Sequence, residues 1–139
     1  MSIKLKLDKG FDKFLESIQS AGGDIDKVVK DVVTQSANTI DADYRAAMKE
    51  KGVSDRLIND MPAPRITTNG NSTYAEVGYK KGSYDPKNPT DGYKAVFLNY
   101  GTPRVSPRNF ITEMKEKAYP KVKQQQQEAL EKILGDLQA

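Results

Sequence analysis

The sequence predicts an α+β domain, and three observations carry that expectation. Ile3, Leu5 and Leu7 alternate with Ser2, Lys4 and Lys6, the period of two that a strand with one buried face requires. From Ile25 to Ala47 the apolar residues recur instead at every third or fourth position, the stripe of a long amphipathic helix. Further along, an Asn-Gly pair sits between β-branched and aromatic residues, the strongest short-range sign of a hairpin. The expected architecture is an antiparallel sheet of about four strands, packed with an N-terminal helical pair and a C-terminal helix, in a single domain over 1–139.

Taken in order, residues 2–7 form a short edge strand. Asp8 then caps a helix carrying Phe11, Phe14, Leu15 and Ile18, and Gly22-Gly23 ends it. Asp24 caps the long helix, whose stripe includes Val28, Val29, Val32, Val33, Ser36, Ile40 and Tyr44. That helix runs roughly 40 Å at 1.5 Å per residue, against a radius of gyration of about 14 Å for a chain of this size. A kink, or an end projecting to a neighbour, is the expected consequence. Gly52 closes the helix. Residues 53–65, with Pro62 and Pro64, form a connector in which Leu57, Ile58 and Met61 make a single turn or a tether over the core. The hairpin follows, with Asn69-Gly70-Asn71 as its turn.

Residues 80–94 show no hydrophobic period and are long for a connection within a domain, so a flexible loop is expected there. Tyr84 and Tyr93 with Lys80, Lys81 and Lys87 give this loop an aromatic and basic mix, suited to a plain hairpin tip, a protein interface or a nucleic-acid backbone. Val96, Phe97, Leu98 and Tyr100 read as the fourth strand, which Gly101 ends in a bend. Pro103 and Pro107 follow, with Ser106 as the N-cap of a helix starting near Pro107. Phe110 and Ile111 pin that helix to the sheet. Its apolar side continues through Met114, Ala118, Val122, Leu130, Ile133, Leu134 and Leu137, while Pro120 predicts a kink or two segments meeting near Tyr119. Gln124 to Gln127 read as a solvated face.

Composition narrows the chemistry. Lys and Arg number 22 against 19 acidic residues, a net charge of +3 that does not by itself mark a nucleic-acid binder. The chain has no His and no Cys, which removes the Ser-His-Asp and Cys-His arrangements and the usual zinc sites. Asp24 with Asp26, and Asp41 with Asp43, are spaced two apart and turn about 200° from each other on a helix, so neither pair forms a joint site. Asp85 and Asp91 fit no Ca²⁺ loop pattern, and no glycine-rich phosphate loop is present. Neither a cofactor nor a metal is expected, and the chain reads as non-enzymatic. Residues 1–7 lack the apolar core of a signal peptide, and no segment approaches the roughly 20 apolar residues needed to span a bilayer.

The run Tyr100-Gly101-Thr102, followed by a proline-containing link and a Phe at position 110 that opens the C-terminal helix, resembles the tail-completion or head-tail joining proteins of long-tailed double-stranded DNA bacteriophages. The N-terminal helical half, central sheet and C-terminal helix extend the resemblance over most of the chain. Many members carry an acidic residue at the place of Asn99 and a proline at the place of Asn109. The resemblance implies a structural virion protein, assembled in the host cytoplasm, that completes or caps the tail for head joining. It would act as a ring of copies against tail-terminator, tail-tube and head-connector proteins. On this reading Lys80, Lys81, Tyr84, Lys87, Tyr93, Tyr100, Gly101, Thr102, Arg104, Arg108 and Phe110 are the residues expected to reach neighbours. In a ring around a DNA channel, Arg104 and Arg108 would face phosphates. The competing expectation is a small basic nucleic-acid-binding domain, with affinity falling steeply as salt rises.

Overall fold

The computed structural model describes residues 2–69, 72–80 and 91–139. In chain order the elements are β1 (Ser2–Leu5), a single 3-10 turn (Lys9–Phe11), α1 (Asp12–Ser20), α2 (Ile25–Glu50), α3 (Asp55–Asn59), β2 (Arg65–Asn69), β3 (Ser72–Gly78), α4 (Asp91–Tyr100) and α5 (Phe110–Gln138). The fold is α+β, with three strands among the described residues rather than the four expected.

The sheet is antiparallel in the order β1-β3-β2. Ile3 lies opposite Val77 and Ile66 opposite Ala75, so alternation turns these side chains to one face, where they join the core against α2. The other face is polar. There Lys4, Glu76 and Arg65 are cross-strand neighbours, and the Lys4 ammonium lies 4.7 Å above the Tyr74 ring. The hairpin expected from Asn-Gly is present, with Asn69 opposite Ser72, and the turn residues between them lie outside the described residues.

Helix starts follow their caps. Asp8 accepts the Gly10 N–H at 2.7 Å, Asp24 accepts the Lys27 N–H at 3.4 Å and Ser54 accepts the Leu57 N–H at 3.3 Å. The connector after α2 is a tether that includes the short helix α3. Leu57, Ile58 and Met61 face the core, and Arg45 of α2 holds the segment from above. Its guanidinium donates to the carbonyls of Ile58 and Met61, both at 2.8 Å, while Asp41 sits 3.1 Å from its Nε. A charge-assisted fork on carbonyls at and just beyond the end of α3 fixes the connector to one place on α2.

α2 is one unbroken helix of 26 residues, and an antiparallel partner, α5, runs along it. Down their shared flank the rungs are Lys51 with Glu113 at 2.9 Å, Asp43 with Lys121 at 2.8 Å, Thr39 with Gln125 at 2.8 Å and Ser36 with Gln126 at 3.0 Å. α5 is likewise continuous through Pro120, so of the kink or two segments expected there, the two segments do not form. Pro120 and Glu116 are both exposed, so water can serve the carbonyl that the missing N–H leaves free.

Two apolar clusters share these long helices. One surrounds Ile40, Tyr44, Met48, Val77, Phe110 and Met114 beneath the sheet. The other lies at the far end, where Phe11 and Ile18 of the N-terminal turns meet Val28, Val32 and Leu130. At their boundary sits a buried polar pair, Ser36 and Gln126. Gln126 donates to the Ser36 hydroxyl and accepts the Asp8 N–H at 3.3 Å, so the glutamine run is not wholly a solvated face.

Candidate interaction corner, residues 97–111

The segment expected to be the fourth strand is helix α4. Val96, Phe97 and Leu98 have strand propensity, yet Ala95 and Asn99, four apart, are the fully buried positions, which is the helical spacing. Residues 91–94 of the loop expected over 80–94 are therefore helical, and 81–90 lie outside the described residues. α4 stops at Gly101, whose φ of 81° is the left-handed value common just past a helix end, and whose N–H donates to the Phe97 carbonyl at 2.8 Å.

A tight turn follows. Thr102 and Val105 exchange backbone hydrogen bonds of 2.8 and 3.2 Å around Pro103-Arg104. The Thr102 hydroxyl oxygen also accepts the N–H groups of Arg104 and Val105, at 3.2 and 3.1 Å. Thr102 thus shapes the turn from inside, and Pro103 presets φ at its second position.

α5 does not begin at Pro107 with Ser106 as its cap. The N–H groups of Arg108 and Asn109 donate to the carbonyls of Leu98 and Asn99, at 2.9 and 3.0 Å. These donors serve the unpaired end of α4, so the chain between the helices stays irregular until Phe110. Asn109 precedes the helix at φ 50°, a conformation asparagine tolerates better than most residues. The Asn99 side chain, 1% exposed, accepts the Ile111 N–H at 2.9 Å and so caps the start of α5 from the preceding helix.

The sequence-predicted residues fall into distinct places. Phe110 is wholly buried, 6.3 Å from the Tyr44 ring, and belongs to the core rather than to a surface. Arg108 folds back onto the end of α2, donating to the carbonyls of Gly52 at 3.0 Å and Lys51 at 3.4 Å, so its charge is engaged with the helix C-terminus. Tyr93 is half-buried in α4, its ring 6.4 Å from Phe97. Lys80 is exposed at the end of the hairpin, while Lys81, Tyr84 and Lys87 lie outside the described residues. Gly101 and Thr102 shape the corner. What the corner presents outward is Tyr100, 65% exposed, Val105, 38% exposed, and the exposed Pro103, Arg104 and Pro107.

Pro103 and Pro107 were legible in the sequence only as part of the link after Gly101, and Val105 carried no signal of its own. Their surface role follows from the backbone bonds that turn them out. From Gly92 to Thr112 the chain has Lys94, Arg104 and Arg108 and no carboxylate, giving the corner a cationic character. Among the described residues no group of three or more acidic side chains is placed to hold a metal ion, and no helix is long and apolar enough to cross a membrane. The corner offers shape, apolar contact and one forward cation. No protein-family model, curated protein or solved structure matches the chain.

Proposed function

We propose that the protein is a non-enzymatic structural component of a long-tailed bacteriophage particle, completing or capping the tail at the head-tail junction as copies in a ring. Its partners would be the tail-terminator, tail-tube and head-connector proteins, met by surface complementarity. The observation that carries this reading is the corner itself, a turn closed by backbone hydrogen bonds that groups the exposed Arg104 and Val105 beside Tyr100 at the end of α4. The resemblance of Tyr100-Gly101-Thr102 and the following Phe to the tail-completion family supports it from the sequence side.

A nucleic-acid-binding role is less well supported. Of the cations it would use, Arg108 is committed to the carbonyls of Lys51 and Gly52. Complementation of a deletion in the parent phage, with negative-stain microscopy of the particles, tests the assembly role. The wild-type chain should restore joined particles. A Tyr100→Ser, Arg104→Glu, Val105→Ser variant with unchanged circular dichroism should leave free heads and tails. Normal infectious particles from that folded variant would overturn the corner as the joining surface. Intact particles from the deletion itself would overturn the junction role.

A further inference from the structure

The two outer strands of the sheet differ in how their open edges are defended. β1 and the residue just after it carry Lys4 and Lys6, both exposed, the kind of charge that discourages strand addition. β2 has no such charge beyond its first residue. Its Arg65 is held inward by the Gly78 carbonyl at 3.1 Å and by Glu76 at 3.7 Å, and from Ile66 to Asn69 it has neither charge nor proline. All five residues pair in unbroken register with β3, Thr67, Thr68 and Asn69 are exposed, and no strand lies on the other side of β2 among the described residues.

We propose that β2 is a self-association edge, pairing antiparallel with β2 of a second copy about a two-fold axis at Thr67. Charge decides the occupant. The outer-face row Lys4, Glu76, Arg65 alternates in sign across the sheet. Extending it with β1 of another copy, in the register that continues the row, sets a lysine beside Arg65, a like-charge contact. Extending it with β2 about Thr67 sets the neutral Asn69 there. It also sets Ile66 beside Thr68 on the core side and Thr67 against its own symmetry mate, a favourable threonine pair. Such an interface is isologous and closes at two copies. A five-residue edge on each side is small for a protein interface, so the dimer is weak and concentration-dependent. Self-pairing through β2 is independent of the corner and of the assembly reading.

Sedimentation equilibrium of the full chain tests this. The apparent mass should rise from the 15.5 kDa monomer toward twice that value as concentration increases to about 1 mM. Thr67→Lys and Thr67→Glu, both at an exposed position and checked by circular dichroism, should each weaken dimerisation about fivefold, because like charges then meet on the axis. An equimolar mixture of the two variants should associate at least as well as the wild type. Three results would each overturn the assignment: a wild-type monomer throughout the range, association untouched by Thr67→Lys, or a mixture no tighter than either variant alone.

Discussion

The buried carboxamide of Asn99 accepts the backbone N–H of Ile111 at 2.9 Å, so the last turn of α4 caps the first turn of α5 across the corner. Asn99→Ala would leave that donor buried and unpaired. The expected cost is about 1–3 kcal/mol, a fall in melting temperature on the order of 3–9 °C for a chain of this length. Thermal unfolding by circular dichroism reads it directly. A shift under about 1 °C would mean that water replaces the carboxamide without penalty.

Much of the fold was legible because its periods are clean. Asp24 and Gly52 bracket α2, and Ile3 and Leu5 mark β1. The corner was not, and the reason is specific. A short apolar run such as Val96, Phe97 and Leu98 fits a strand and a buried helix turn equally well, and what separates them here is long-range. The carbonyls of Leu98 and Asn99 are satisfied by Arg108 and Asn109, a pairing no local propensity reveals. Asn109 stands at φ 50°, far from the −65° or so that proline fixes, so this entry to the helix is one that proline could not make. Gln126 was hidden for a simpler reason. It sits within a glutamine run, yet Val122 and Leu130 flank it at the helical spacing of four, the signal that places it inside.

Gly101 and Gly22 both have positive φ, 81° and 93°, but their surroundings differ. A Cβ on Gly22 meets nothing within 4 Å, while one on Gly101 would lie 2.8 Å from the Val105 carbonyl oxygen and 2.9 Å from the Pro107 nitrogen. Those are backbone atoms of the turn itself. Gly22→Ala should therefore cost only the left-handed strain of about 1–2 kcal/mol, and Gly101→Ala about 3 kcal/mol because the turn must open as well. Urea denaturation of the two variants checks the order. Equal losses would show that the corner yields easily, and would weaken its standing as a rigid presenting surface.

The Ser36 and Gln126 pair sets the register of α2 against α5 between the two apolar clusters. Removing Ser36 strands the buried Gln126 amide N–H, whereas removing Gln126 leaves the Ser36 hydroxyl still donating to the Val32 carbonyl at 2.9 Å and only the part-buried Asp8 N–H short of a bond. Ser36→Ala and Gln126→Met should each cost about 1–2 kcal/mol. The double variant should be more stable than their sum by about 1 kcal/mol, which a double-mutant cycle in urea measures. Strict additivity would mean that the two side chains do not depend on each other.

Tyr44 lies wholly buried between α5 and the sheet, packed on Phe110. Burial first, and then the nearby Tyr79 and Tyr100 phenols, push its phenol well above the ordinary value of 10.0. The neutral form is therefore favoured in the folded state. Above pH 10 the unfolded chain releases this proton while the folded chain keeps it, so stability is fully present below that pH and falls as pH rises through it. One such group contributes a slope of up to about 1.4 kcal/mol per pH unit. Tyr44→Phe removes this slope, although at neutral pH it forfeits whatever the hydroxyl contributes. Urea denaturation between pH 8 and about pH 11.5 should show the wild type losing ground to the variant only above pH 10. A constant difference between them across the range would mean that Tyr44 ionises in the folded protein as readily as in the unfolded chain, and that its hydroxyl reaches solvent.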